Sequence, residues 1–191
     1  LMRSSAASDV YKRQVMTTYF SNSGGSLFLK TKKVQADTGE TTLAMSQAMS
    51  RNKIPAIGRA ASEGLWAMTA GGHRVFCLNS GKTMCSGDTL KYKTVNAATY
   101  EKKGIAKALQ WYFMKSNKNT KALALTQAYI WACGHGANKQ NTVYQAGKNV
   151  QKGYSQNDAK KFCETISDQD PEGTIYYYTV SYTHLTLPTI A

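Results

Sequence analysis

Residues 65–78 read Leu65-Trp66-Ala67-Met68-Thr69-Ala70-Gly71-Gly72-His73-Arg74-Val75-Phe76-Cys77-Leu78. Two largely apolar runs flank a Gly-Gly pair, the pattern of a β-hairpin with a tight turn. The second run puts Cys77 on a strand, close to where Asn79-Ser80-Gly81 breaks it.

Working outward, Leu27-Phe28-Leu29, with Val34 beyond a lysine-rich segment, predicts an earlier strand, and Asp37-Thr38-Gly39 a turn. Residues 43–49 have helical spacing. Downstream the pattern changes. Ile105, Leu109, Tyr112 and Phe113 recur at helix period, with Trp111 beside them. After a polar turn at residues 116–120, a second helix is expected over residues 121–133, stopped by Gly134-His135-Gly136. Its Leu123, Gln127, Ile130 and Trp131 share one face. Gln127 is thus a polar group in an apolar stripe, and a buried carboxamide must find partners or react. A third helix starts at Ser155, whose Ser-x-x-Asp spacing to Asp158 is a capping-box variant, and runs through Phe162 to Ile166. Asp170-Pro171-Glu172-Gly173 is a turn, and Ile175-Tyr176-Tyr177-Tyr178 a closing strand. The fold expected is α+β: an antiparallel sheet or small β-sandwich with a helical insertion, Cys77 and Gln127 meeting at the seam.

Both termini read as something other than protein. Residues 4–14 and residues 180–189 can be written as translations of opposite strands of one DNA duplex, the signature of a sequencing adaptor. Segments 1–14 and 180–191 are therefore set aside. Residues 15–179 are expected to be one domain, a fragment truncated at both ends, with length enough for a substantial core.

The chain carries 24 Lys+Arg against 11 Asp+Glu, a formal charge of +13. Such a field favours anionic partners. The basic residues stand singly or in pairs, such as Lys32-Lys33, Lys102-Lys103 and Lys160-Lys161, without an aromatic-interleaved stripe. No nucleic-acid partner is expected. Nor is membrane contact, since no run in residues 15–179 is long and apolar enough to span a bilayer. Lys107, Lys121 and Lys139 read as solvated faces.

Cysteine and glutamine together supply the two halves of an internal thioester. The thiol sulfur attacks the primary carboxamide and ammonia leaves. Amides in solution resist this, so the groups must be held in near-attack geometry, where orientation supplies roughly 7–11 kcal/mol. The product also needs a dry pocket, because water hydrolyses it. A strand-borne Cys77 facing a helix-borne Gln127 meets the first need, and Phe76 and Trp131 the second.

Phe76-Cys77-Leu78, followed about fifty residues later by Thr126-Gln127-Ala128-Tyr129-Ile130-Trp131, resembles the thioester domains of Gram-positive surface adhesins, the TQXA family. Those domains carry an aromatic-Cys motif and a downstream Thr-Gln-x-Ala-Ile-Trp helix. The similarity spans roughly residues 65–133, and Tyr129 stands where the family usually has alanine. The resemblance implies that Cys77 and Gln127 form the bond, with Phe76, Thr126, Ile130 and Trp131 supporting it. It implies covalent adhesion to amines: lysine side chains of host proteins, or polyamines. It also implies a secreted, cell-wall-anchored protein whose stalk domains lie outside this stretch, with single-turnover chemistry and neither cofactor nor metal.

Other readings of the same residues stay open. If Cys77 is used by Gln127, then Cys85, Cys133 and Cys163 remain, an odd number whose pairing the sequence does not fix. Two disulfides consuming Cys77 would instead make a non-covalent, disulfide-stapled extracellular binding domain for anionic ligands. A zinc site from Cys77, Cys85, Cys133 and His135 lacks any Cys-x-x-Cys spacing. A cysteine hydrolase would pair Cys77 with His73 or His135, but a nucleophilic cysteine usually sits at a helix N-terminus rather than on a strand.

Overall fold

The described residues form six strands and four helices: β1 (Val15–Phe20), β2 (Gly39–Met49), β3 (Leu65–Ala70), β4 (His73–Cys77), β5 (Thr89–Asn96), α1 (Lys103–Met114), α2 (Thr120–His135), α3 (Lys139–Val150), α4 (Gln156–Ser167) and β6 (Thr174–Val180). The computed structural model describes residues 15–20, 39–49, 65–78 and 86–180. The strand read at Leu27 to Leu29, the break at Asn79-Ser80-Gly81, Cys85, and the terminal segments up to residue 14 and from residue 181 lie outside them.

The hairpin forms where the Gly-Gly pair predicts it. Gly71 and Gly72 have φ of 56° and 81°, the two left-handed conformations that a two-residue hairpin turn demands. From there the pairing is antiparallel throughout. The order is β1-β4-β3-β2-β5-β6, and β6 returns to pair with β1, closing a barrel. Among the described residues each strand thus has a strand neighbour on both sides, though not along its whole length.

All four helices lie between β5 and β6. Asn96 and Thr174 pair across those two strands, and the Ala97 N–H donates to the Gly173 carbonyl at 2.8 Å. The chain therefore leaves the barrel and re-enters it at one point, with the helical insertion hanging from adjacent strands. This is the α+β architecture expected from the sequence, with the sheet curled on itself.

Residues 43–49 are a correction. They belong to β2, paired with β3 from Leu43↔Ala70 to Met49↔Leu65, and are not helical. Leu43 is 1 % exposed while Ala44 and Ser46 face solvent. That alternation belongs to a half-buried strand. Pairing with β3 decides between the two periods, a tertiary effect that local spacing does not contain.

The helices end largely as their sequences dictate. Asn119 and Asn138 cap α2 and α3 by accepting from the backbone N–H of Ala122 and Asn141. Ser155 and Asp158 form the capping box of α4. Helix α2 extends to His135 and stops at Gly136, whose φ of 66° is the left-handed cap.

Two cores result. One fills the barrel, with Leu43, Met68, Val75, Cys77, Leu90 and Tyr178. The other lies between barrel and helices, with Phe76, Leu109, Tyr112, Leu123, Ile130 and Phe162 among its members. Adjacent strand residues point to opposite faces, so Phe76 belongs to the helical core and Cys77 to the barrel core. The strand carrying them is the wall between the two.

Candidate functional site

The register of the hairpin determines what Cys77 exposes. Ala70↔His73 flank the two-residue turn, and pairing continues through Met68↔Val75. In an antiparallel pair, every second residue turns both its N–H and its C=O toward the same neighbour. Counting on from His73 and Val75, Cys77 turns both groups toward β3. The ladder has stopped by then, and Gln127 takes its place. The Cys77 N–H donates to Gln127 Oε1 at 3.0 Å, and Gln127 Nε2 donates to the Cys77 carbonyl at 2.7 Å. The carboxamide thus substitutes for a length of strand, satisfying two backbone groups that would otherwise be orphaned.

Both residues are deeply buried, Gln127 at 2 % and Cys77 at 5 % exposure. Helix α2 brings Gln127 there because it runs through the middle of the molecule. Residues 122–130 are buried on all sides, more than the single stripe that the sequence predicts. Gly134, two turns further on, permits the approach. A Cβ at that position would sit 3.0 Å from the Leu78 carbonyl oxygen, tighter than an alanine accepts without displacement. Sequence reading missed Gly134 as anything but a helix stop.

The supporting residues divide. Phe76 is fully buried and meets Tyr112 edge-to-face at 4.8 Å, and Ile130 is fully buried beside it in the helical core. Trp131 is half-buried and packs against both cores, with its Nε1 buried and without a hydrogen-bond partner among the described residues. Thr126 Oγ1 is likewise buried and unpartnered there. Thr126 Oγ1 therefore makes no hydrogen bond to the Gln127 carboxamide, whose oxygen accepts from the Cys77 N–H. Tyr129 lies two residues from Gln127, nearly opposite on the helix. Its ring meets Phe162 at 6.4 Å and lies under Lys139 Nζ at 5.7 Å. The bulk of Tyr129 is therefore spent on the α4 side and does not crowd Gln127. Burial pushes its hydroxyl up to about 12.

None of Cys77, Cys133 and Cys163 is in a disulfide. Cys133 and Cys163 pack against the helical core. Burial raises both thiols, Cys163 to about 11, so both are protonated at neutral pH. His73 sits four residues from Cys77 on the same strand, about 13 Å along it, too far for a nucleophile–base pair. His135 is exposed in the last turn of α2. Among the described residues no group of three His, Cys, Asp or Glu side chains could hold a metal ion, and no helix is long and apolar enough to cross a membrane.

Chemically, the arrangement polarises one amide. A backbone N–H on Oε1 draws electron density from Cδ, and the nitrogen is tethered by a separate acceptor. The thiol that would attack belongs to the residue supplying both contacts. No protein-family model, curated protein or solved structure matches this chain.

Proposed function

We propose that Cys77 and Gln127 form an internal thioester through which the protein attaches covalently to amines. The observation that carries this reading is the double hydrogen bond between the Gln127 carboxamide and the backbone of Cys77.

In the bond-forming step Sγ attacks Cδ, and the carbonyl electron pair moves onto Oε1, where the Cys77 N–H stabilises it. The pair returns, the Cδ–Nε2 bond breaks, and the nitrogen departs as ammonia with the proton of the thiol. The Cys77 carbonyl holds that nitrogen until it leaves. In the second step a primary amine attacks Cδ, an amide forms, and Sγ is released as a thiol. Phe76, Ile130 and Trp131 keep water from the bond between the two steps.

Each chain reacts once, so the protein is a covalent adhesin and not a catalyst. The partner is an amine-bearing surface, such as lysine side chains of a host protein, or a free polyamine. The setting is the outside of a Gram-positive cell, with stalk and wall anchor supplied by other parts of the protein.

Intact-mass measurement tests this. The expected mass is the sequence mass less one ammonia, with a methylamine adduct appearing on incubation. Both signals vanish in Cys77→Ala and in Gln127→Ala. Unaltered sequence mass in freshly folded protein, with glutamine still found at position 127 by peptide sequencing, overturns the proposal.

A further inference from the structure

We infer that the groove between the C-terminal end of α1, the start of α2 and the first turns of α4 is a binding site for an anionic saccharide. It is separate from the Cys77–Gln127 pair and rests on none of that chemistry. Its volume is about 520 Å³, within the ~300–1,000 Å³ usual for clefts that hold small ligands.

The charge of the groove is one-sided. Lys115, Lys121 and Lys161 line it, and the single acid is Asp158. Asp158 already accepts hydrogen bonds from the Ser155 N–H and hydroxyl, both at Oδ2. Those bonds hold its carboxyl below the usual carboxylate range. Among the described residues, none of the three lysines is in an ion pair. Lys121 Nζ lies over the Tyr154 ring at 5.8 Å, and Lys161 and Lys121 both act on the Asp158 charge, so what the groove offers a ligand is the excess of three lysines over one carboxylate.

The neutral rim is one-sided as well. Asn119 Oδ1 accepts from the Ala122 N–H at 2.9 Å, and Asn117 Oδ1 from the Asn119 N–H at 3.3 Å. Ser116 Oγ donates to the Tyr112 carbonyl and accepts from the Lys118 N–H. The helix cap and the turn before it thus engage the carboxamide oxygens of both asparagines, leaving their amino groups for an outside acceptor. Gln151 and the buried Tyr154 hydroxyl, which also line the groove, can donate or accept; with the lysines, donors outnumber acceptors. A ligand that fits carries acceptors and negative charge.

Trp111 decides between an anionic sugar and a bare anion. It lines the groove half-buried, its ring pinned edge-to-face on Phe162 at 4.9 Å. An aromatic face is negative at its centre and complements the slightly positive C–H face of a pyranose. Sulfate or phosphate alone would make no use of it. A polynucleotide would need cations strung along a track, whereas these three converge on one short cleft.

The test is tryptophan fluorescence titration of the full chain and of Cys77→Ala, using a sulfated, uronic-acid-containing disaccharide from heparin as probe. The expected result is saturable quenching in both proteins, absent in Trp111→Phe. Affinity should fall at least tenfold in Lys115→Ala/Lys161→Ala and again as salt is raised. Cellobiose, matched in size but neutral, should not compete. The inference is overturned if cellobiose binds as well, if sodium sulfate displaces the disaccharide at equal concentration, if a short single-stranded oligonucleotide binds more tightly, or if nothing binds while circular dichroism reports folded protein. Equal binding by Cys77→Ala keeps this result independent of the thioester, whose failure would appear in the mass measurement alone.

Discussion

The barrel and the helical insertion are held together differently. The barrel is a closed ladder of backbone hydrogen bonds around a small side-chain core that includes Tyr178, Met68 and Leu90. The insertion satisfies its backbone within each helix and depends on a larger packed core, reaching from Ile105 to Ile166. Gln127 belongs to the second region and bonds in the manner of the first. It shows that a helix can dock on a sheet by offering a side-chain amide where a strand would offer a peptide, which places a carboxamide against the end of a strand ladder with both backbone groups satisfied.

The largest expected effect comes from breaking that link. Gln127→Ala orphans the buried Cys77 N–H, costing about 1–3 kcal/mol, and removes the acyl group, and with it a cross-link whose closure contributes about 4 kcal/mol. Urea unfolding should report a loss of roughly 5–7 kcal/mol, with no ammonia loss by mass. Gly134→Val comes next. Its added side chain meets the Leu78 carbonyl, separating α2 from β4. Overpacking of this kind costs about 1–3 kcal/mol, and the fraction of chains lacking one ammonia should fall even where the variant remains folded.

Alkali should separate the two regions without mutation. Burial raises Cys163 from 9.0 to about 11, and Tyr178 in the barrel from 10.0 to about 12. In each case the unfolded chain loses its proton first, so stability is intact below the ordinary value and declines as pH rises toward the raised one. Hydrogen exchange followed with rising pH should therefore show α4 loosening before β6. The smallest effect is Asn138→Ala, which removes the cap of α3 and costs about 1 kcal/mol by thermal unfolding. It leaves the mass signature of the thioester unchanged.

Much of this was legible in the sequence, for local reasons. Gly71-Gly72 can form only a few turns, Ser155 and Asp158 cap each other across three residues, and Gln127 stands out against Leu123 and Ile130. Where the reading failed, the deciding contacts were distant. Residues 43–49 satisfy either period until β3 pairs with them. Helix α3 is polar along much of its length and carries Gly147, so its pattern is weak; that glycine makes room for Tyr154, whose ring lies 2.1 Å from where a Cβ would be. Strand β5 buries Leu90 but presents Lys91 and Lys93 to solvent, and charge hid the alternation. The backbone of Cys77 as a partner for Gln127 was invisible because it depends on how far the β3–β4 ladder runs.

The two partners in the candidate site are fifty residues apart in the chain. A bond between them would close a covalent ring through β5, α1 and half of α2, and by chain entropy a ring of that size lowers the freedom of the unfolded state by about 4 kcal/mol. An amine that opens the thioester cuts the ring. The protein would then be fastened to its target at the moment it loses its own internal tether, and the attached form would be the less resistant of the two to heat.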